Sequence, residues 1–184
     1  MKCEPTEIPE VLLITPDVFG DARGFFIETY NQQRYANAGI DRHFVQDNYS
    51  HSRQGTLRGL HYQLPHAQGK LISVIWGRIF DVAVDIRQGS PNFGKWVGRE
   101  LSEQNRCQLY VPEGFAHGFM VLSERADVQY KCTELYHPED DRGILWSDPA
   151  IGINWPAQQG VLSDKDQGLP LLSDIAPDQL PVFE

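Results

Sequence analysis

His61 stands in the segment GTLRGLHYQ (Gly55–Gln63), and Lys70 follows nine positions later at the start of an apolar run. A neutral imidazole suits proton abstraction at neutral pH, the more so where a carboxylate fixes its tautomer and stabilises the imidazolium. Taking a proton from a carbon next to a ketone leaves an enolate, whose oxygen charge a lysine ammonium stabilises. Returning a proton from the opposite face inverts the carbon, which needs a second donor across the substrate and no cofactor. A tyrosine hydroxyl is a suitable donor. Tyr130, within the strand-like run 128–135, is available, although spacing alone does not select it from the seven tyrosines. Taken singly, His61 also reads as a core or surface histidine and Lys70 as a solvated strand-end lysine.

A second segment, VPEGFAHGF (Val111–Phe119), has a Pro-x-Gly turn followed by His117. That is the shape of the second cupin motif, in which the glycine makes the turn and the histidine points into a barrel. Cupins that bind metal also carry two histidines one residue apart and a nearby glutamate. Here His61 is followed by Tyr62 and Gln63, His66 has the wrong parity for the same strand face, and Lys70 would repel a cation. A metal site is not expected.

The elements that must position these groups are strands. Candidates are 10–15, 44–50, 57–63, 71–75, 79–86, 95–101, 108–111, 118–122 and 128–135, punctuated by Gly and Pro at the spacing of an all-β sandwich or barrel. Leu57, Gly59, His61 and Gln63 share one face of a regular strand. Runs 71–75 and 79–86 flank Trp76-Gly77-Arg78 and read as a hairpin. In the second, Phe80, Val82, Val84 and Ile86 alternate with Asp81, Ala83 and Asp85, giving one apolar and one small or acidic face. Only 31–38 looks helical, with Gly39 as a C-cap. Beyond Trp155 the chain reads as loops and turns wrapped on the barrel, and 1–184 reads as one domain.

Composition narrows the functions. A net charge of -9 and a pI near 5.1 leave no overall basic field for nucleic acid or an anionic membrane. Any phosphorylated ligand must be held by local Arg and Lys. Cys3, Cys107 and Cys132 are widely spaced with no CxxC pair, which fits a reducing cytoplasm rather than a disulfide framework. The N-terminus has no sustained apolar run of a signal peptide, and no stretch is long enough to span a membrane.

These segments, with others in order, resemble the dTDP-4-dehydrorhamnose 3,5-epimerase family of the cupin superfamily over nearly the whole chain. The matching strings are FGDARGFFIE (Phe19–Glu28), FVQDN (Phe44–Asn48), LRGLHYQ (Leu57–Gln63), QGK (Gln68–Lys70) and FDVAVD (Phe80–Asp85). GSPNFG (Gly89–Gly94), PEGFAHGF (Pro112–Phe119), Tyr130-Lys131 and LSDKD (Leu162–Asp166) follow. The resemblance implies a double-stranded β-helix, or jelly-roll barrel, with a short helix and C-terminal turns, working as a cytoplasmic homodimer without cofactor or metal. It implies His61 as general base paired with Asp166, Lys70 as enolate stabiliser and Tyr130 as the acid on the opposite face.

For the substrate, dTDP-4-dehydro-6-deoxyglucose, it implies contacts from Arg23, Glu28, Gln46, Asp47 and Asn48, N-terminal residues reaching in from the partner subunit. Further contacts are Arg58, His117, Asp141 and Lys165, with Tyr136 stacking on thymine. Arg forks suit a diphosphate in an acidic protein. Arg58 and His61 have opposite parity on a straight strand, so both entering one site requires a bulge, which Gly59 would permit. Asp141 stands where a glutamate is frequent, and the shorter acid has less reach. The rival readings are a single-centre epimerase or 3,4-ketoisomerase on a dTDP-4-keto-6-deoxy sugar, a metal-dependent cupin, and a non-catalytic sugar-binding jelly roll.

Overall fold

Two antiparallel sheets face each other, and each strand read from the sequence lies in one of them. A computed structural model describes residues 1–157 and 159–183. In chain order the strands are β1 (Lys2–Pro5), β2 (Leu12–Thr15), β3 (Val18–Asp21), β4 (Gly24–Ile27), β5 (Gln46–Arg53), β6 (Leu57–Gln63) and β7 (Lys70–Trp76). They continue with β8 (Arg78–Asp85), β9 (Trp96–Ser102), β10 (Gln108–Val111), β11 (Phe115–Val121), β12 (Arg125–Cys132) and β13 (Asp141–Gly143). Helix α1 (Gln32–Asn37) follows β4, and α2 (Asp164–Gln167) lies in the C-terminal segment. One sheet has the order β1-β2-β10-β7-β12-β5, the other β13-β6-β11-β8-β9, and β3 with β4 form a separate two-stranded arm. This is the cupin-type jelly roll.

The pleat explains the alternation. Ile72, Val74, Ala83, Leu109, Phe119 and Val128 fill the space between the sheets, and all are buried. The other face of the five-stranded sheet is also covered: Leu60, Tyr62, Val82, Val84 and Ile86 pack under Ile151, Leu172, Ile175 and Leu180 of the C-terminal segment. Burial on both sides is why 79–86 is apolar on one face yet still small or paired on the other. Asp81 and Asp85 are wholly buried, the first against His117 and the second against Arg87 and Ser90. Helix α1 begins at Asn31, whose side chain accepts from Arg34 N, and buries Tyr35.

Three expectations are corrected. β7 and β8 do not form a hairpin. They pair with β10 and β12, and with β11 and β9, in opposite sheets, and Gly77 (φ +78°) turns the corner between them. A Cβ at Gly77 would lie 2.1 Å from Arg125 O, so the corner is packed too closely for a side chain. The run 128–135 leaves its sheet after Cys132. And β6 is not regular: its register against β11 shifts at Gly59, which therefore does not share a face with His61.

Candidate active site

In the β6–β11 ladder His61 pairs with His117 and Arg58 with Phe119. Two residues of β6, Gly59 and Leu60, therefore oppose the single Gly118. This β-bulge restores Arg58 and His61 to one face, directed between the sheets, and sends Leu60 and Tyr62 outward into the core under the C-terminal segment. Gly59 has φ +127°, and a Cβ there would lie 2.6 Å from Gly118 Cα and 2.8 Å from His117 O. Both glycines are required for the two strands to approach at this point.

His61 meets Asp166 across 2.7 Å from Nε2 to Oδ1. Asp166 rides on α2, where Ser163 caps the helix by accepting from Asp166 N at 3.1 Å. The carboxylate is 6% exposed and the imidazole 32%, so the acid is hidden and the base faces the cavity. Burial alone would raise the Asp166 pKa, but hydrogen bonds to His61, Ser163 and the Gly59 main chain outweigh it and hold the carboxyl below its usual range.

Lys70 and Tyr130 come from the opposite sheet. Ile72 pairs with Tyr130, and Lys70 with Cys132, so Lys70 and Tyr130 lie on the same inner face of adjacent strands. Two adjoining cavities of about 310 and 420 Å3 each have His61, Lys70 and Tyr130 in their walls. Lys70 is nearly inaccessible, and burial pushes its ammonium pKa down against the opposing pull of Cys132, Asp141 and Asp81. Burial likewise pushes the Tyr130 hydroxyl up, keeping it a proton donor at neutral pH.

One cavity takes in Gln46, Asn48, Tyr136 and Asp141, the other Arg58, His117 and Lys165. Gln46 Nε2 donates to Asn48 Oδ1 at 3.0 Å, and Arg58 Nε donates to Ser52 Oγ at 3.1 Å. His117 Nε2 lies 3.0 Å from both oxygens of Asp81. Asp141 reaches the site despite its short side chain, accepting from Tyr136 OH at 2.9 Å and pairing with Lys165. Asp47 does not reach it. Between Gln46 and Asn48 the pleat turns its side chain to the outer face, where Lys131 Nζ binds it at 2.9 Å. Arg23 and Glu28 also line neither cavity: Arg23 is exposed at the tip of the β3–β4 arm beside Asp21, and Glu28 pairs with Arg34.

Asp81 and Ser163 are supporting residues that sequence reasoning misses. Asp81 is visible as an acid inside an apolar alternation, and Ser163 as an N-cap two residues before Lys165. Cupin barrels raise the question of a metal between the histidines. The donors do not fit one, because His61 and His117 give their Nε2 atoms to different carboxylates, with the Lys70 ammonium in the same cavity wall. Away from the cavity, His66, His137 and Asp140 lie within ligand distance of each other. There His66 Nδ1 already holds Asp140, and the two imidazole rings stack at 4.2 Å and 19°.

The dTDP-4-dehydrorhamnose 3,5-epimerase family profile matches residues 5–174. The chain belongs to this family. A dTDP-4-dehydrorhamnose 3,5-epimerase of Shigella flexneri is 59% identical over 168 residues, 90% of this chain and 93% of the relative. The crystal structure of a dTDP-6-deoxy-D-glucose-3,5-epimerase from Legionella pneumophila, in complex with dTDP-4-keto-L-rhamnose, superposes with a TM-score of 0.97. It is 51% identical and covers 100% of this chain and 98% of its own. A 3'-monoepimerase from Streptomyces bikiniensis with bound dTDP-quinovose is more distant, at 31% identity, a TM-score of 0.91 and coverage of 97% and 92%.

Proposed function

We propose that this chain, as one domain, converts dTDP-4-dehydro-6-deoxy-D-glucose to dTDP-4-dehydro-L-rhamnose by inverting C5 and C3. The observation that carries the reading is the convergence of His61 from one sheet, backed by Asp166 of α2, with Lys70 and Tyr130 from the other sheet on shared cavity walls. The 4-keto group acidifies both carbons, so one base serves both once the sugar ring is repositioned. His61 takes the proton, and the anionic Asp166 stabilises the imidazolium that results. The Lys70 ammonium stabilises the enolate oxygen. Tyr130 returns a proton from the far face, and solvent then carries the His61 proton back to the phenolate. No step calls for a cofactor. Identities of 59% and 51% to relatives named as 3,5-epimerases, against 31% to the 3'-monoepimerase, support two-centre inversion over a single-centre enzyme.

Arg58 binds the diphosphate, His117, Asp141 and Lys165 make further substrate contacts, and Gln46 and Asn48 hydrogen-bond thymine. Tyr136 stacks on the base, a contact worth roughly 1–3 kcal/mol. Arg23 and Glu28 act in trans, from the arm of a second copy in a homodimer. The surface favours such an assembly. Phe19, Phe26 and Tyr49 are each more than 60% exposed, and Ile75 and Trp76 about half. A groove of about 570 Å3 runs between the arm and the outer face of β7. Apolar area of this kind marks an interaction site. Among the described residues no helix is long and apolar enough to cross a membrane, and the cytoplasm suits the three free thiols.

The test incubates chelator-treated protein with dTDP-4-dehydro-6-deoxyglucose in D2O and follows deuterium by NMR. Deuterium at both C3 and C5, with inversion, is expected. Exchange at C3 alone would replace this reading with a single-centre epimerase, and exchange that returns only on adding divalent metal would overturn the metal-free mechanism.

A further inference from the structure

After β12 ends at Cys132 the chain leaves both sheets and carries Tyr136 to the cavity. Among the described residues no strand pairs with 134–137, and glutamine side chains take the place of one. Gln68 Nε2 donates to Glu134 O at 2.8 Å, and Tyr136 N donates to Gln46 Oε1 at 2.9 Å. Gln63 does the most. Its Nε2 donates to Leu135 O at 3.1 Å and to His66 O at 2.7 Å, while its Oε1 accepts from His137 N at 2.9 Å.

Gln63 is 6% exposed, so water cannot readily replace these partners. Both amide hydrogens and the carbonyl are in use at once, a combination that a carboxylate of the same shape cannot supply because it has no donor. Gln63 also closes β6, two residues after His61. The strand that carries the base thus fixes, through one buried amide, the residues on either side of Tyr136.

We propose that Gln63 is a positioning residue for nucleotide recognition, fixing the Tyr136 ring where it meets the base of the nucleoside-diphosphate sugar. Gln63 does not touch the reacting carbons. The proposal rests on the reading of Tyr136 as the platform for the base, and the experiment separates the two.

The full chain would be prepared as Gln63→Glu, Tyr136→Ala and the double variant. Each is measured for kcat and KM with dTDP-4-dehydro-6-deoxyglucose, for dTDP affinity by calorimetry and for thermal unfolding. Gln63→Glu is expected to raise KM and the dTDP Kd by roughly tenfold, from the loss of two buried hydrogen bonds, with kcat within about threefold. Added to Tyr136→Ala it should change dTDP binding by less than about twofold, because without the ring nothing is left to position. A folded Gln63→Glu protein with wild-type KM, or effects that multiply independently in the double variant, would overturn the proposal. If Tyr136→Ala alone leaves dTDP binding unchanged, the platform reading fails and this proposal falls with it. Should Gln63→Glu not fold, Gln68→Ala loosens the same segment from its other end. A raised KM at steady kcat supports the clamp, and an unchanged KM sinks it.

Discussion

Replacing Gly59 with alanine puts one methyl group where β6 and β11 touch. The new Cβ would stand 2.6 Å from Gly118 Cα and 2.8 Å from His117 O, both main-chain atoms that no side-chain rotation can move aside. The residue would also keep φ +127°, a region essentially closed to alanine. Strain of this kind costs about 1–3 kcal/mol and overpacking a tight contact about as much again, so the loss should be about 2–6 kcal/mol. A domain with about 5–15 kcal/mol in hand remains folded over most of that range. It would remain folded by straightening or shifting the bulge, which turns either Arg58 or His61 off the shared face. Activity should therefore fall by far more than the folded fraction. Urea denaturation gives the first quantity and deuterium exchange into substrate, on samples shown to be folded, gives the second. A Gly59→Ala protein with unchanged midpoint and full exchange at both carbons would refute the bulge as the device that aligns the site.

Asp166→Asn should lower kcat by about 10²–10⁴-fold, since the amide neither stabilises the imidazolium nor selects the productive tautomer of His61; steady-state kinetics check it. The same carboxyl has its folded pKa depressed, so its contribution to stability is present above the unfolded value near 4 and is lost as pH falls through the folded pKa. The variant should lack that part of the acid-side decline in unfolding experiments. Tyr130→Phe should still exchange substrate protons with D2O while inversion slows by about 10²–10⁴-fold; loss of exchange and inversion together would argue against Tyr130 as the far-face acid. Ile75→Asp, on the exposed outer face of β7, should give a monomer by light scattering and weaken dTDP binding through loss of the partner's arm; an unchanged dimer would place the interface elsewhere.

The strands were legible because burial on two faces leaves a strong mark. The 79–86 run shows it, as does the turn of VPEGFAHGF, which delivers His117 to β11 within the expected segment. The corner at Gly77 was not legible. A glycine between two apolar runs looks the same whether the strands pair or part into opposite sheets, and only β10, β12, β11 and β9, distant in sequence, decide it. Among the site residues, the opposite parity of Arg58 and His61 calls for a bulge once the family resemblance places both in one site. Asp47 shows the limit of carrying a string over whole: the pleat that brings Gln46 and Asn48 inward turns the residue between them out. Gln63 stands in the LRGLHYQ string on the His61 face, but nothing in the sequence marks its role, since its partners are main-chain atoms three and about seventy positions away.

Arg87 shows how this fold matches a partly buried cation. Arg87 is held by Asp85 at 2.7 Å and Glu10 at 3.0 Å, and burial is offset by those contacts so that its pKa rises. Lys70 differs, because it is buried among the described residues without a bonded carboxylate and its pKa is pushed down. An ammonium kept in this way is costly to the fold and is matched only when negative charge develops beside it, which is the condition for stabilising an enolate more than the ketone that precedes it. Lys70→Met, similar in length and uncharged, should then lower kcat by about 10²–10³-fold while leaving the protein as stable as before or more so. The pH dependence gives the sign. With its folded pKa below the unfolded value near 10.4, Lys70 makes the unfolded chain bind more protons, so stability rises with pH from the folded pKa up to about 10.4. The methionine variant should lose that rise. A variant that is both inactive and markedly less stable at neutral pH would mean that Lys70 holds the barrel together rather than waiting for the charge of the enolate.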